Sequence, residues 1–182
     1  MPEMIILDRD GVINQDSDDY IKTVDEWIPI PGSLKAIRRL KDAGYLVTVA
    51  TNQSGIARGY FDEEMLQKIH NKMHGLLAQL DSRLDGVFHC PHGPHDNCAC
   101  RKPRPGLLLQ IAQQFNIDLS ATPFVGDTMS DIKAAEAAQA RPILVRTGKG
   151  ETTMQKFREV INVPVYDDLA HFVDETLKNR RT

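Results

Sequence analysis

The sequence has 182 residues, of which 41% are hydrophobic and 26% are charged, and its formal net charge is −3. This length is enough for one domain with its own core, and the hydrophobic fraction excludes an intrinsically disordered chain. Nucleic-acid-binding proteins usually carry a basic balance, which is missing here. We therefore expect a single globular domain over residues 1–182 that does not bind nucleic acid.

The apolar runs and the cysteines indicate the cellular compartment. The first apolar run covers only residues 4–7, and no stretch approaches the roughly 20 apolar residues of a membrane helix. All three cysteines lie between Cys90 and Cys100, and an odd, clustered set without an export signal favours metal binding over disulfides. We expect a cytoplasmic, monomeric protein that has no contact with membranes.

Short apolar runs alternate with amphipathic segments along the chain. Strands are predicted at residues 4–7, 45–50, 86–89, 123–125, 143–145 and 163–165. Helices are predicted at residues 33–44, 62–80, 106–115, 132–140 and 167–178, with a weaker one after 150. Ser33 is expected to cap the first helix, and the acidic residues that follow Asp62 suit the start of the second. Strands separated by helices pair in parallel, so we predict an α/β fold with a doubly wound parallel sheet.

Three of the predicted strands lead into a polar residue, namely Asp8, Thr51 and Asp127. Ligands bind beyond the carboxyl ends of the strands in such sheets, so these side chains should converge. Asp10 and Asp131 add further carboxylates, and several oxygen ligands together suit a hard cation such as Mg²⁺. Each piece taken singly is typical of a turn or a helix cap, but their joint placement indicates a catalytic site.

The same residues suit phosphoryl transfer, which needs a nucleophile, a cation and donors for the phosphoryl oxygens. Thr51 offers a hydroxyl, Asn52 an amide and Lys102 a fixed positive charge. Two neighbouring carboxyl groups such as Asp8 and Asp10 can divide the work, one as an anionic nucleophile and the other as a protonated acid.

Four segments resemble, in order, the motifs of the haloacid dehalogenase superfamily of phosphatases. They are Asp-Arg-Asp-Gly at 8–11, Thr-Asn at 51–52, Lys102, and Gly-Asp at 126–127 with Asp131. The resemblance implies a Rossmann-like fold in which Asp8 becomes an aspartyl-phosphate and Asp10 acts as general acid and then general base.

The resemblance also implies how the remaining residues bind their ligands. Mg²⁺ would be bound by Asp8, by the main-chain carbonyl of Asp10 and by Asp127. Thr51 and Lys102 would bind the phosphoryl oxygens, and Asp131 would orient Lys102.

A second metal site is predicted in the loop at residues 90–100. The spacing C-x-H-x₅-C-x-C supplies four zinc ligands, Cys90, His92, Cys98 and Cys100. Three thiolates and one imidazole close a tetrahedral shell, which is typical of structural Zn²⁺. His95 is a second choice to His92. We expect this loop to place Arg101 and Lys102 over the substrate.

The spacing between motifs leaves no room for a separate cap domain, so we expect loops to contact the substrate in an open site. The residues expected to bind it are Asp16, Tyr20, Thr51, Asn52, Gln53, Ser54, Arg101 and Lys102.

Two capless, zinc-bearing subfamilies fit this description. One removes the 7-phosphate of D-glycero-D-manno-heptose 1,7-bisphosphate in lipopolysaccharide precursor biosynthesis, and the other cleaves histidinol phosphate. The strings at residues 51–59, 101–106 and 146–150 look like the heptose enzymes, while the short loop between His92 and Cys98 is similar to the histidinol enzymes. Histidinol phosphate therefore remains the alternative substrate. A non-catalytic zinc-binding interaction protein is a weaker alternative, because every residue that the mechanism needs is present.

Overall fold

The computed structural model describes residues 3–180 and is organised by a six-stranded parallel sheet. Its strands are β1 Met4–Leu7, β2 Leu46–Asn52, β3 Gly86–Cys90, β4 Pro123–Gly126, β5 Arg141–Val145 and β6 Val165–Tyr166. They lie in the order β3-β2-β1-β4-β5-β6, and every neighbouring pair is parallel. The prediction of a doubly wound parallel sheet is confirmed. The two residues at each end of the predicted domain, 1–2 and 181–182, lie outside the described range.

Among residues 3–180, six α-helices connect and cover these strands. They are α1 Ser33–Asp42, α2 Glu63–Ala78, α3 Gly106–Phe115, α4 Met129–Ala137, α5 Gly150–Lys156 and α6 Leu169–Asn179. Asp62 caps α2 by accepting a hydrogen bond from the main-chain nitrogen of Met65 at 2.8 Å, as its position before an acidic first turn suggested.

Two predicted boundaries were wrong for identifiable reasons. Ser33 does not cap α1, because Gly32 takes the cap position with φ 87° and the Ser33 hydroxyl donates to the carbonyl of Ile13 at 2.6 Å. The helix predicted at 132–140 begins earlier, at Met129, because Thr128 and Asp131 form a reciprocal capping box. A short 3₁₀ turn at Leu119–Ala121 was not predicted.

Successive strand residues face opposite sides of the sheet, and each side has its own core. Ile5 and Leu7 belong to the core that is shared with α1, α2 and α6. Met4 and Ile6 belong to the core that is shared with α3 and α4. Helices cover both faces, so polar side chains of the sheet meet solvent at the strand ends.

The order of the strands creates a crevice between β1 and β4. The chain runs from β1 through β2 to β3 and then returns to form β4 on the other side of β1, so the connections after β1 and β4 diverge. The main-chain nitrogen of Asp8 donates to the carbonyl of Val125 at 2.8 Å, which fixes the start of the loop at this switch point. Within residues 3–180, no helix combines the length and apolar character that a membrane span requires.

Candidate active site

Lys102 lies at the centre of the crevice, almost fully buried between two carboxylates. Its Nζ is 2.9 Å from Asp8 Oδ1 and 2.6 Å from Asp131 Oδ1. The same ammonium donates to the carbonyl of Ala50 in β2 at 3.0 Å. Burial opposes the charge on Lys102, but Asp131 and Asp8 outweigh it and raise its pKa above the usual value of 10.5. Lys102 is thus a permanent cation that touches both β1 and the start of α4.

Asp10 is held by hydrogen-bond donors on both of its carboxylate oxygens. The guanidinium of Arg9 donates to Oδ1 from Nε at 3.0 Å and from Nη2 at 2.9 Å. Asn14 also donates to Oδ1 at 2.9 Å, and Gln53 donates to Oδ2 at 3.0 Å. Burial alone would raise the pKa of Asp10, but Arg9 and these hydrogen bonds together hold it below 3.8. In the chain by itself Asp10 is therefore ionised.

Asp127 is enclosed by two glycines whose backbones approach its carboxylate. A Cβ on Gly11 would lie 2.1 Å from Asp127 Oδ2, and one on Gly148 would lie 2.3 Å from the same atom. The main-chain nitrogen of Lys149 donates to Oδ2 at 2.7 Å, and the Thr147 hydroxyl donates to the carbonyl of Gly11 at 2.7 Å. The turn at 147–150 therefore holds Asp127 against the loop after β1.

Among the described residues of this crevice, there are more buried carboxyl groups than buried ammonium groups. Asp8, Asp127 and Asp131 bring oxygens within 4.8 Å of one another, and all three residues are buried. Within the described part of the chain, Asp127 Oδ1 is buried without a hydrogen-bond partner. Burial, together with Asp131 and Asp8, raises the pKa of Asp127 well above 3.8. A further positive charge fits this group of residues, and oxygen ligands suit a hard divalent cation.

Asp8 has a raised pKa for the same reason. Burial is the largest cause, and the neighbouring acids Asp131 and Asp10 add to it, so that the pKa reaches about 7 although Lys102 lowers it. In the chain by itself the pKa of Asp8 is therefore higher than that of Asp10. The resemblance implied the opposite order, with Asp8 as the anion and Asp10 as the protonated acid. A cation beside Asp8 supplies the charge that favours its anionic form.

The predicted substrate-binding residues line one cleft of about 270 Å³ above this group. The lining includes all of them, Asp16, Tyr20, Thr51, Asn52, Gln53, Ser54, Arg101 and Lys102, along with Asp8, Asp10 and Asp127. Several of these residues also have partners within the protein. Asn52 exchanges two hydrogen bonds with the main chain of Lys102, at 3.0 and 3.1 Å, and Gln53 donates to Thr51 Oγ1 at 2.9 Å.

The predicted metal-binding loop brings its four ligand atoms together. The separations between neighbouring ligand atoms of Cys90, His92, Cys98 and Cys100 run from 3.1 to 3.7 Å. None of the three cysteines forms a disulfide. Burial raises the pKa of the Cys90 thiol to about 12, so that a bound cation is needed to stabilise its thiolate. This cluster can hold a metal ion through His92 rather than His95.

The metal-binding loop is attached to the substrate cleft. The main-chain nitrogen of Gln53 donates to the carbonyl of Cys90 at 2.8 Å, and Arg101 donates to the carbonyl of His92 at 3.2 Å. Lys102 follows directly, and its Asn52 contacts fix it to the end of β2. The loop therefore positions both Arg101 and Lys102.

Some residues of the site were not singled out from the sequence. Arg9, Asn14 and the turn at 147–150 all contact catalytic candidates. The position of Arg9 between two aspartates was the available signal for its ion pair with Asp10. The groups that donate to the Asp127 oxygens, from Lys149 and Thr153, lie more than twenty residues away in sequence, which gave no local signal.

Comparisons with known proteins agree with this geometry. A family model described as HAD-hydrolase-like matches residues 99–172. A D-glycero-beta-D-manno-heptose-1,7-bisphosphate 7-phosphatase of Pseudomonas aeruginosa is 53% identical over 167 residues, covering 92% of this chain and 93% of that protein. The protein of the same name from Bordetella bronchiseptica is 50% identical over 176 residues, covering 97% and 98%.

Solved structures give the same result. The crystal structure of D,D-heptose 1,7-bisphosphate phosphatase from B. bronchiseptica, complexed with magnesium and phosphate, matches with a TM-score of 0.94 and 50% identity. The match covers 97% of this chain and 99% of that one. The corresponding enzyme from Burkholderia thailandensis matches with a TM-score of 0.76 and 42% identity, covering 96% and 98%.

The fold and the strand-end carboxylates place the chain among the haloacid dehalogenase-like hydrolases. Because relatives of 50% identity or more align with over nine-tenths of its length, the chain belongs to the D-glycero-beta-D-manno-heptose-1,7-bisphosphate 7-phosphatase family.

The enclosure of Asp127 predicts a difference between two glycine substitutions. Gly11 and Gly44 have nearly the same φ, 83° and 87°, but a Cβ on Gly44 would meet no atom within 4 Å. Gly44→Ala should cost about 1 kcal/mol for the left-handed backbone, whereas Gly11→Ala should cost at least about 3 kcal/mol because it also displaces Asp127. Urea unfolding of both variants measures the difference, and equal losses would contradict the enclosure of Asp127 by Gly11.

Proposed function

We propose that the chain hydrolyses the 7-phosphate of D-glycero-beta-D-manno-heptose 1,7-bisphosphate through a phosphorylated Asp8. The observation that carries this proposal is the buried trio of Asp8, Lys102 and Asp131 at the floor of a polar, open cleft. The names of the relatives support the substrate and its β configuration. The reaction belongs to the supply of heptose precursors for lipopolysaccharide.

The first chemical step uses the two carboxyl groups at the end of β1. Asp8 Oδ1 is occupied by the main-chain nitrogen of Arg9 at 2.7 Å and by Lys102, so we assign the attack to Oδ2. A bond forms between Asp8 Oδ2 and phosphorus while the bond from phosphorus to the sugar oxygen breaks. Lys102 and Thr51 stabilise the negative charge on the phosphoryl oxygens, and Asp10 gives its proton to the departing alkoxide.

The second step restores the enzyme. Asp10, now ionised, takes a proton from a water molecule, whose oxygen attacks phosphorus and releases Asp8 and inorganic phosphate. Asp10 needs a proton before the first step, although Arg9 and Gln53 favour its ionised form. The dianionic phosphate of the substrate raises the pKa of Asp10 on arrival, because a nearby negative charge favours the protonated form.

The residues present fit Mg²⁺, which the solved relative from B. bronchiseptica contains. Asp8, Asp127 and the main-chain carbonyl of Asp10 would hold it. The unpartnered Oδ1 of Asp127 and the excess of buried carboxylates support this assignment. When bound, the ion supplies positive charge beside the nucleophile and the phosphoryl group.

The cysteine loop fits structural zinc. A tetrahedral zinc ion with about 2.3 Å to sulfur and about 2.0 Å to nitrogen has ligand atoms about 3.5–3.8 Å apart. Three separations in the loop, 3.3, 3.5 and 3.7 Å, are close to this range, and the 3.1 Å between the Cys90 and Cys100 sulfurs is shorter. Four protein ligands leave no open position for catalysis. The ion's role would be to fix Arg101 and Lys102, and Arg101 would contact the substrate away from the reacting phosphate.

The substrate is tested by measuring phosphate release, with Mg²⁺, from three compounds in parallel. We expect kcat/KM for the β-heptose bisphosphate to exceed that for the α-anomer by at least about tenfold, and that for histidinol phosphate by more. A preference for histidinol phosphate would overturn the heptose assignment and leave the phosphatase chemistry intact.

The proposed mechanism makes the carboxyl groups of both Asp8 and Asp10 essential for turnover. Asp8→Asn and Asp10→Asn should each lower turnover of the bisphosphate by about a thousandfold or more, because each removes an essential group. Asp42→Asn is the control, since Asp42 lies on the surface of α1 with its side chain 63% exposed.

Mass spectrometry of acid-quenched protein separates the two roles. With p-nitrophenyl phosphate, whose leaving group needs no proton, Asp10→Asn should accumulate a phosphorylated chain, and Asp8→Asn should not. A phosphorylated Asp8→Asn protein would contradict the covalent role of Asp8.

Native mass spectrometry tests the structural ion and the proposed monomer together. We expect one chain of 20.4 kDa carrying one zinc. His92→Asn should lose the zinc and His95→Asn should keep it, because His92 lies beside the thiols. A fully active chain without zinc, or a stable dimer, would contradict the corresponding proposal. A cytoplasmic location remains a prediction from the sequence, and localisation of a tagged chain would test it.

A further inference from the structure

Arg9 is a buried arginine whose entire side chain is 0% exposed. Its Nε and Nη2 face the Asp10 carboxylate, with Nη2 also 3.2 Å from Oδ2, and this fork fixes the plane of that carboxylate. The third nitrogen, Nη1, points away from Asp10. The hydrogen-bond acceptor of Nη1 therefore also fixes the rotation of the Arg9 guanidinium.

The partner of Nη1 is His70, which is 5% exposed, lies in α2 and is not among the residues that line the cleft. The distance from Arg9 Nη1 to His70 Nε2 is 3.1 Å. Because a guanidinium can only donate, Nε2 must accept, so His70 is neutral with its proton on Nδ1. Burial, followed by the charge of Arg9 and the nearby His89 and His74, lowers the pKa of His70 to about 3, in agreement with this tautomer.

The acceptor that His70 provides for Arg9 Nη1 also affects the orientation of the Asp10 carboxylate. An unpaired Nη1 in a fully buried site would be costly, and the guanidinium would rotate to satisfy it. Rotation would take Nε and Nη2 out of line with the Asp10 carboxylate. The proton that Asp10 gives to the leaving oxygen would then be misdirected, and small errors in the position of a catalytic group are costly.

We propose that His70 is a positioning residue for leaving-group protonation, because its Nε2 fixes the Arg9 fork that orients the Asp10 carboxyl. The proposal rests on the proposed function of Asp8 and Asp10. A residue in the middle of α2 would therefore act on the catalytic residues of the loop after β1.

The test compares two phosphate esters that differ in their need for an acid. Phosphoryl transfer from the heptose bisphosphate expels a sugar alkoxide, which needs a proton, whereas transfer from p-nitrophenyl phosphate expels p-nitrophenolate, which is stable without one. The quantity measured is kcat/KM, which reports formation of the phosphorylated Asp8 and not its hydrolysis. His70→Leu removes the acceptor, and His70→Gln keeps one in its side-chain carbonyl.

We expect His70→Leu to lower kcat/KM for the bisphosphate by about tenfold or more and for p-nitrophenyl phosphate by less than about twofold. His70→Gln should recover most of the loss. His74→Leu, one turn further along the same helix, is the matched control and should leave both values unchanged. Thermal unfolding of each variant checks the fold, and His70→Met replaces His70→Leu if the leucine variant does not fold.

The remaining outcomes contradict the proposal. Equal losses on both esters in a folded variant, or no loss on the bisphosphate, would overturn the role of His70 while wild-type activity upheld the proposed function. A wild-type protein inactive on both esters would instead overturn the proposed function, and the role of His70 with it.

Discussion

The site depends on one buried positive charge that is shared by two buried carboxylates. Removing Lys102 from water is unfavourable in itself, and its contacts with Asp8, Asp131 and the carbonyl of Ala50 compensate for that cost. These three partners come from the end of β1, from α4 and from β2. Correct assembly of the sheet is therefore a condition for pairing the charge, and the paired charge is a condition for placing Asp8, the proposed nucleophile.

The charges around this lysine do not balance within the chain. Two buried acids, Asp8 and Asp131, contact it, and a third, Asp127, lies close to both and keeps an oxygen without a partner among the described residues. Such an arrangement is unfavourable for the folded chain alone, and a bound divalent cation would relieve it. Under the proposed function, the same ion would assist phosphoryl transfer and compensate the repulsion that the site creates, so activity and stability would be linked.

The sequence was sufficient for the fold and for the residues of the cleft, but not for the contacts that orient them. Alternating apolar runs predicted all six strands, and the polar residues that follow them located the crevice. Ser33 was misjudged as a cap because its hydroxyl finds a more distant partner, the carbonyl of Ile13. His70 carried no signal in the sequence, since only the packing of α2 brings it to Arg9. The division of charge between Asp8 and Asp10 depends on the burial of Asp8 and on the contacts of Asp10 with Arg9, Asn14 and Gln53, which sequence spacing does not specify.

The metal-binding loop at residues 90–100 is held by main-chain hydrogen bonds at both ends, which determines where its length can vary between relatives. Gln53 binds the carbonyl of Cys90 at its start, and the nitrogen of Gly106 binds the carbonyl of Ala99 near its end, while residues 94–97 at the tip are exposed. Residues inserted at the tip add little entropic cost, because the cost of loop closure rises slowly with length. The length of this loop can thus differ between relatives while Lys102 keeps its place.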